Sequence, residues 1–159
     1  MKYLTMSAVL GVGVAALAAC GGEKKADDSS ANTAAAATPA TATAAGASFS
    51  MSPLTPEPGH KVIVVTLNTD EKGNNAFTPA EIEAHQGDVL RFTLKVGVHN
   101  VDFVADSNPK GALLPGASDM LQLPDQAIDL AVKLPPGKYY FQCDPHALMG
   151  MKGKLEVER

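Results

Sequence analysis

The segment "KYYFQCDPHALMGMKGKLEVE", residues 138–158, holds two strand patterns and, between them, a cluster of soft metal-binding side chains. In the first pattern Tyr139, Phe141 and Cys143 alternate with other residues, so the thiol lies on the same face as two aromatic rings and points toward a core. Residues 153–158, "GKLEVE", give the second strand. The loop that joins the strands adds an imidazole and two thioethers. The segment therefore predicts a β-hairpin whose loop binds a soft metal ion.

Upstream of this hairpin the hydrophobic residues again recur with a period of two. The clearest runs are "KVIVVTLNT" at 61–69, "DVLRFTLKV" at 88–96 and "AIDLAVKL" at 127–134. Short amphipathic strands separated by Gly, Pro, Asn and Asp clusters predict an all-β fold, an antiparallel β-sandwich. The predicted inward positions of the second and third runs are Leu90, Phe92, Leu94, Val96, Ile128, Leu130, Val132 and Leu134, which leaves Asp129 and Lys133 on the polar side.

The inward face changes from even-numbered to odd-numbered residues between the second run and the residues that follow it. Gly97 is the expected position of a bulge that shifts the register by one, and Asn100 is the alternative. After such a shift His99 faces inward together with Val101 and Phe103. The alternation therefore places one imidazole at the same end of the core as the thiol.

The N-terminus carries export and anchoring signals. Met1 to Ala19 reads as a secretory signal peptide, with Lys2 followed by a mostly apolar stretch that is short of the roughly 20 residues of a membrane span. "LAAC", ending at Cys20, resembles the lipobox of bacterial lipoproteins, in which the cysteine is lipidated and becomes the mature N-terminus. The alternative is an ordinary signal peptide with a chance cysteine. We expect an exported protein, anchored by lipidated Cys20 to a membrane facing the periplasm or the cell exterior.

Residues 20–57 are rich in Ala, Thr, Ser and Pro and contain few large apolar residues. Such a segment cannot offset the entropy lost on ordering, so we predict a flexible, lipid-anchored linker, with some helix as the alternative. Residues 58–159 remain as one domain of ordinary size. The formal net charge of −4 disfavours nucleic-acid binding.

If Cys20 is lipidated, Cys143 has no cysteine to pair with. A lone thiol in an exported protein is expected to be buried, bound to a metal or catalytic. Two imidazoles, one thiolate and a weak thioether bond form the blue-copper pattern. The hairpin loop offers Cys143, His146 and a methionine, and the second imidazole must come from the remaining histidines, which are His60, His85 and His99.

Three stretches carry a resemblance to a known family. The segments 139–157 and 77–92, together with "HN" at 99–100, resemble the cupredoxins of the plastocyanin and pseudoazurin group. The resemblance covers about residues 60–159 and implies a Greek-key β-sandwich that holds one type 1 copper ion. The copper ligands that it implies are His99, Cys143 and His146 as equatorial ligands and Met151 as the axial ligand.

The resemblance also assigns the neighbouring residues. Asn100 matches a residue that ties the two ligand loops together by hydrogen bonds, whereas Met149 has no matching role and is interpreted as an apolar rim residue. Two positions depart from the usual pattern. Asp144 replaces a common Ser or Thr, which would place a carboxylate near the metal and favour Cu(II), and Val98 replaces a Pro or an aromatic residue. His60 and His85 are interpreted as solvated histidines.

Four protein ligands leave a metal no open position for substrate, so we do not expect an enzyme. The leading hypothesis is a monomeric electron carrier that serves transient redox partners, such as a cytochrome or a membrane redox complex. The resemblance implies that electrons pass at the edge of His146, through an apolar patch whose candidates are Leu113, Leu114, Pro115, Pro145, Ala147, Leu148 and Met149. The alternative is a protein that stores or delivers copper without redox turnover.

Overall fold

The computed structural model describes residues 46–159, so the predicted signal peptide, Cys20 and the first part of the linker lie outside the described residues. Residues 46–159 form an all-β sandwich of two sheets, which confirms the predicted fold class. Within this range no helix has the length and apolar character needed to cross a membrane. The strands are β1 Phe49–Ser50, β2 Val62–Thr69, β3 Asn75–Thr78, β4 Glu81–His85, β5 Val89–Val96, β6 Ala127–Ala131, β7 Gly137–Gln142 and β8 Lys152–Glu158, with 3₁₀ turns at Ala105–Ser107 and Asp144–Met149.

The two sheets differ in size and in the direction of their pairs. One has five strands in the order β1-β6-β5-β2-β3, and the other has three in the order β4-β8-β7. The sequence predicted antiparallel pairing, but β2 pairs with β5, and β4 with β8, in parallel. Hydrophobic alternation identifies the face of a strand that is buried, and it carries no information on the direction of the neighbouring strand.

The core between the sheets is rich in aromatic residues at the end where the candidate ligands lie. The ring of Phe141 is fully buried, with its centroid 4.9 Å from that of Phe77 and 5.8 Å from that of Phe92. Gly153 on β8 makes room for this ring, because a Cβ there would lie 2.1 Å from Phe141. Cys143 follows Phe141 by two residues on the same face, so this part of the core ends in the buried thiol.

The predicted register shift is present, but at a different residue. The pairing of β2 with β5 becomes irregular after Leu67, where Lys95 is left without a partner, two residues before the predicted bulge at Gly97. Gly97 adopts a φ of 103°, which favours glycine. Because of the shift Val96, predicted to be in the core, is 50% exposed. The odd-numbered residues that follow are buried as predicted, namely His99, Val101 and Phe103.

Residues 46–57, which the sequence assigns to the linker, pack against the sandwich. Phe49–Ser50 pairs with β6 as an edge strand, and Ala47 is buried in the core cluster. The backbone N–H of Leu54 donates a hydrogen bond of 2.7 Å to the carboxylate of Asp129. The ordered structure therefore begins before residue 58, because a few apolar side chains and several backbone groups of this segment find partners on the domain.

Asp129 is buried, although the alternation of β6 placed it on the polar side. Arg91 on β5 donates two hydrogen bonds to this carboxylate, at 2.8 and 2.7 Å. Burial alone would raise the pKa of Asp129, but the hydrogen bonds from Arg91 and Leu54 outweigh it and lower the pKa. A buried carboxylate with a bidentate arginine partner can therefore occupy a position that alternation assigns to solvent.

Candidate metal centre

Three side chains from separate parts of the chain meet at one end of the sandwich. The Sγ of Cys143 lies 3.6 Å from Nδ1 of His99 and 3.3 Å from Nδ1 of His146, and the two Nδ1 atoms are 3.1 Å apart. His99 and Cys143 are fully buried, and His146 is partly exposed. The structure thus selects His99 from the three histidines that the residue pattern alone left open.

His99 is held by a two-residue bridge to the loop that precedes β6. Its backbone N–H donates to the carbonyl of Leu121 at 3.1 Å, and the N–H of Leu121 donates back at 2.8 Å. The ring Nε2 lies 3.1 Å from the backbone carbonyl of Val96, which can only accept, so Nε2 carries the proton. The unprotonated Nδ1 of His99 therefore faces the sulfur and the second imidazole.

The other two side chains belong to one tight loop. The N–H of His146 donates to the carbonyl of Cys143 at 3.0 Å, and the N–H of Cys143 donates to the carbonyl of Met151 at 3.1 Å. Gly150, with a φ of 94°, ends the 3₁₀ turn and returns the chain to β8. Met151 is fully buried, whereas Met149 is 62% exposed. The loop therefore directs one methionine inward and the other toward solvent.

The cluster fits a metal ion in its geometry. A triangle with sides of 3.1, 3.3 and 3.6 Å has its centre about 1.9 Å from each corner, close to the roughly 2.0 to 2.3 Å that nitrogen and sulfur ligands keep from a divalent transition metal. Since the proton of His99 is on Nε2, only Sγ of Cys143 and Nδ1 of His146 can supply a hydrogen atom to the contacts among these three atoms. A cation at the centre satisfies all three acceptors at once.

The electrostatics of the cluster agree with a metal ion. Burial raises the pKa of the Cys143 thiol, and the negative charge of Asp144 adds to this effect. Burial also lowers the pKa of His99, and the proximity of His146 lowers it further. The protein alone therefore favours a neutral imidazole and disfavours a thiolate, so a thiolate at this position needs a bound cation.

Asn100 and Asp144 connect the two ligand-bearing loops. The Nδ2 of Asn100 donates to Oδ2 of Asp144 at 2.7 Å, and the backbone N–H of Asp144 donates to Oδ1 of Asn100 at 2.8 Å. The other carboxylate oxygen of Asp144 accepts a hydrogen bond from Gln142 at 3.1 Å. Both oxygens of Asp144 thus have partners in the protein. Burial raises the pKa of nearby Asp102, and the charge of Asp144 raises it further.

His60 and His85, the two remaining histidines, are not in this cluster. Nδ1 of His60 lies 3.3 Å from the buried carboxylate of Asp88, and Nε2 of His85 lies 3.4 Å from Glu158. The side chain of His85 is 45% exposed and that of His60 30% exposed. The pairing of His60 with a buried aspartate was missed, since the two residues are far apart in the sequence and lie in the loops before different strands.

Residues 63–158 match the model of the family described as copper binding proteins, plastocyanin/azurin family. The chain belongs to this family. A chloroplastic plastocyanin of Fritillaria agrestis is 34% identical over 121 residues, which are 73% of this chain and 68% of the relative. A pseudoazurin of Paracoccus pantotrophus is 33% identical over 91 residues, which are 57% of this chain and 59% of the relative. Among solved structures, the Cu(I) form of an amicyanin mutant is similar with a TM-score of 0.50 and 29% identity, over 71% of this chain and 99% of that chain.

The family and the geometry together identify the cofactor as copper. His99, Cys143, His146 and Met151 form a type 1 copper site. A thiolate, two imidazoles and a thioether are the donor set that such a site needs. Met149, which is 62% exposed, is not among these ligands.

Proposed function

We propose that this chain is a blue-copper electron carrier. The observation that carries the proposal is the buried cluster of His99, Cys143 and His146, whose three donor atoms lie within 3.6 Å of one another, with Met151 buried in the same loop. In this proposal His99, Cys143 and His146 would hold the copper ion, and Met151 would be a weaker fourth ligand. Four protein ligands leave no position for a substrate, which favours exchange of electrons over hydrolysis or other bond chemistry at the metal.

The bound copper supplies a one-electron couple, Cu(I) and Cu(II), and the protein supplies a fixed geometry for both states. The bridge of His99 to Leu121 and the reciprocal hydrogen bonds of Asn100 and Asp144 hold the ligand loops together. Three of the four ligands, His99, Cys143 and Met151, are fully buried, which limits the access of water to the site. Both properties keep the rearrangement that accompanies electron transfer small, in agreement with the proposed role of Asn100.

The surface next to His146 fits brief contact with a partner. Leu148 is fully exposed at 102% and Met149 is 62% exposed, and both follow His146 in the same turn. We define these two side chains as the apolar rim. Transient redox contacts are small, so a rim of this size suffices. Pro115, a sequence candidate for the patch, is buried, and Leu114 packs against the core, so neither extends the rim.

We further propose that the mature protein is a monomer anchored through lipidated Cys20, exported to a membrane that faces the periplasm or the cell exterior. The support is the "LAAC" sequence at 17–20 and the apolar stretch before it. Partners would then be redox proteins at or near that membrane. Mass spectrometry of the purified protein tests the anchor: an N-terminal peptide that begins at an acylated Cys20 is expected, and an unmodified cysteine contradicts it.

Absorption spectroscopy of the protein titrated with Cu(II) tests the site. The wild type is expected to turn intensely blue and to be bleached reversibly by a reductant. Cys143→Ser should abolish the blue band and Met151→Leu should shift it. Met149→Leu, the same change two residues away, is the matched control and should change little. A colourless Cu(II) complex of the wild type would refute the type 1 assignment.

Electron self-exchange between oxidised and reduced copies tests the function without a known partner. It is measured from the line broadening of NMR signals in mixtures of the two forms. Fast exchange supports the carrier. If the copper moves readily to an acceptor protein or chelator while no electron exchange is observed, the chain stores or delivers copper instead.

A further inference from the structure

The nitrogen of His99 that faces away from the copper site has two acceptors. Nε2 lies 3.1 Å from the carbonyl of Val96 and 3.1 Å from Oγ1 of Thr69, at the end of β2. The ring of His99 is fully buried. Its orientation therefore depends on the protein groups around Nε2 as well as on the metal.

The hydrogen bonds of Thr69 have a defined direction. Its hydroxyl donates to Oδ1 of Asn75 at 2.6 Å, and Nδ2 of Asn75 donates to the carbonyl of Gly73 at 3.3 Å, which fixes the orientation of the amide. A hydroxyl has one hydrogen atom, so Thr69 can only accept from His99. The chain of donors thus runs from His99 Nε2–H to Thr69 and from Thr69 to Asn75.

The backbone of Gly97 provides separate support for this arrangement. A Cβ at this position would lie 2.4 Å from Oγ1 of Thr69 and 2.7 Å from Nε2 of His99. Its φ of 103° is also one that favours glycine. The close approach of the threonine hydroxyl and the imidazole therefore requires a residue without a side chain between them.

We propose that Thr69 is a positioning residue for the copper ligand His99, and that Asn75 acts through Thr69 by orienting its hydroxyl. An acceptor at Nε2–H increases the electron density that Nδ1 offers to the metal and fixes the plane of the ring. Cu(II) gains more from a basic imidazole than Cu(I) does. The Thr69 hydroxyl therefore stabilises the oxidised state, and its removal raises the reduction potential. This inference rests on the copper site, and it does not depend on the identity of any electron-transfer partner.

Thr69→Val tests the proposal, since it removes the hydroxyl and keeps the shape of the side chain. Loss of an outer hydrogen bond to a metal ligand lowers metal affinity by about 10-fold to 100-fold. We expect about a tenfold loss of Cu(II) affinity relative to Cu(I), which for a one-electron couple corresponds to a rise of about 59 mV in the reduction potential. The potential is measured by protein-film voltammetry, and the two affinities by competition with chelators.

Two single variants act as controls. Thr69→Ser keeps the hydroxyl and should restore the wild-type potential. Thr66→Val makes the same substitution on the outward face of the same strand and should leave the potential unchanged. An unchanged or lowered potential in Thr69→Val overturns the proposal. Equal shifts in Thr69→Val and Thr69→Ser also overturn it, because they would show an effect of packing and not of the hydrogen bond.

The role of Asn75 is tested by a double-mutant cycle. Asn75→Ala alone should raise the potential by less than Thr69→Val, and in the Thr69→Val background it should have no further effect. Additive shifts of the two substitutions would overturn the proposed order of action. If the wild type shows no electron self-exchange, the proposed function fails, while these measurements of potential and affinity remain interpretable.

Discussion

Leu148 offers the sharpest test of the apolar rim. Its side chain is fully exposed, so truncation to alanine removes no contact that stabilises the fold and should change the free energy of unfolding by no more than about 0.5 kcal/mol. The three carbon atoms that are lost are worth at most about 0.8 kcal/mol each when buried in a complex, or about 2.4 kcal/mol together. If half of the surface of these three carbon atoms is buried on contact, the substitution in each copy weakens the encounter complex by about 1.2 kcal/mol.

Self-exchange doubles this effect because both copies present the same rim. Leu148→Ala should lower the self-exchange rate by about fiftyfold, since about 2.4 kcal/mol is lost and 1.4 kcal/mol is a factor of ten. With a partner that keeps its own surface, the second-order rate should fall about sevenfold. The reduction potential should not change. Val64→Ala, on an exposed side chain of β2, is the matched control. An unchanged self-exchange rate in Leu148→Ala, or an equal loss in Val64→Ala, would show that electrons leave elsewhere.

Three further predictions concern the groups around the site and the sheets. Asp129→Asn should destabilise the domain by about 2 kcal/mol in denaturant unfolding, since it removes charged hydrogen bonds to Arg91 and Leu54, while Asp106→Asn, on an exposed residue, should be neutral. Folding lowers the pKa of Asp88 and Asp129, because hydrogen bonds from backbone and side-chain donors outweigh the opposing effect of burial. The two carboxylates therefore stabilise the fold above the unfolded pKa of about 3.9, and this stability is lost as the pH falls through the lower folded pKa. The free energy of unfolding, measured from pH 7 down to pH 2, should fall steeply below about pH 4, and less steeply in Asp88→Asn. The same slope in Asp88→Asn and in the wild type would contradict this. Asp144→Asn should raise the reduction potential by less than the 59 mV of a tenfold affinity change, as the carboxylate is exposed and screened, and a lowered potential would contradict a role in favouring Cu(II).

The sequence predicted the strands and the convergence of ligands because both follow from local patterns. Alternation identified the inward residues of 90–94 and 139–143, and the change of parity before Val101 placed His99 on the inward side. The resemblance to the cupredoxins implied Met151 as the ligand and left Met149 without a role, and in the structure Met151 is buried and Met149 is exposed. These features depend on residues close together in the chain, so a pattern can carry them.

Features that depend on distant partners could not be predicted in the same way. The burial of Asp129 requires Arg91 on another strand and Leu54 in the segment assigned to the linker. The bulge appears at Lys95 because the pairing with β2, and not the glycine at 97, fixes where the register slips. The parallel pairs of β2 with β5 and of β4 with β8 likewise depend on the path of the whole chain. Each of these misses concerns pairing between segments.

The two imidazoles of the site have different surroundings, so substitutions near one should affect the reduction potential and substitutions near the other should affect docking. His99 is fully buried and both of its ring nitrogens have partners, whereas His146 is partly exposed and is followed by the apolar rim. Changes around the buried nitrogen of His99 should therefore alter the reduction potential and leave docking intact. Changes at Leu148 should alter docking and leave the potential intact. Combining Thr69→Val with Leu148→Ala should give the sum of the two single effects, since Thr69 contacts the buried Nε2 of His99 whereas the Leu148 side chain is fully exposed to solvent.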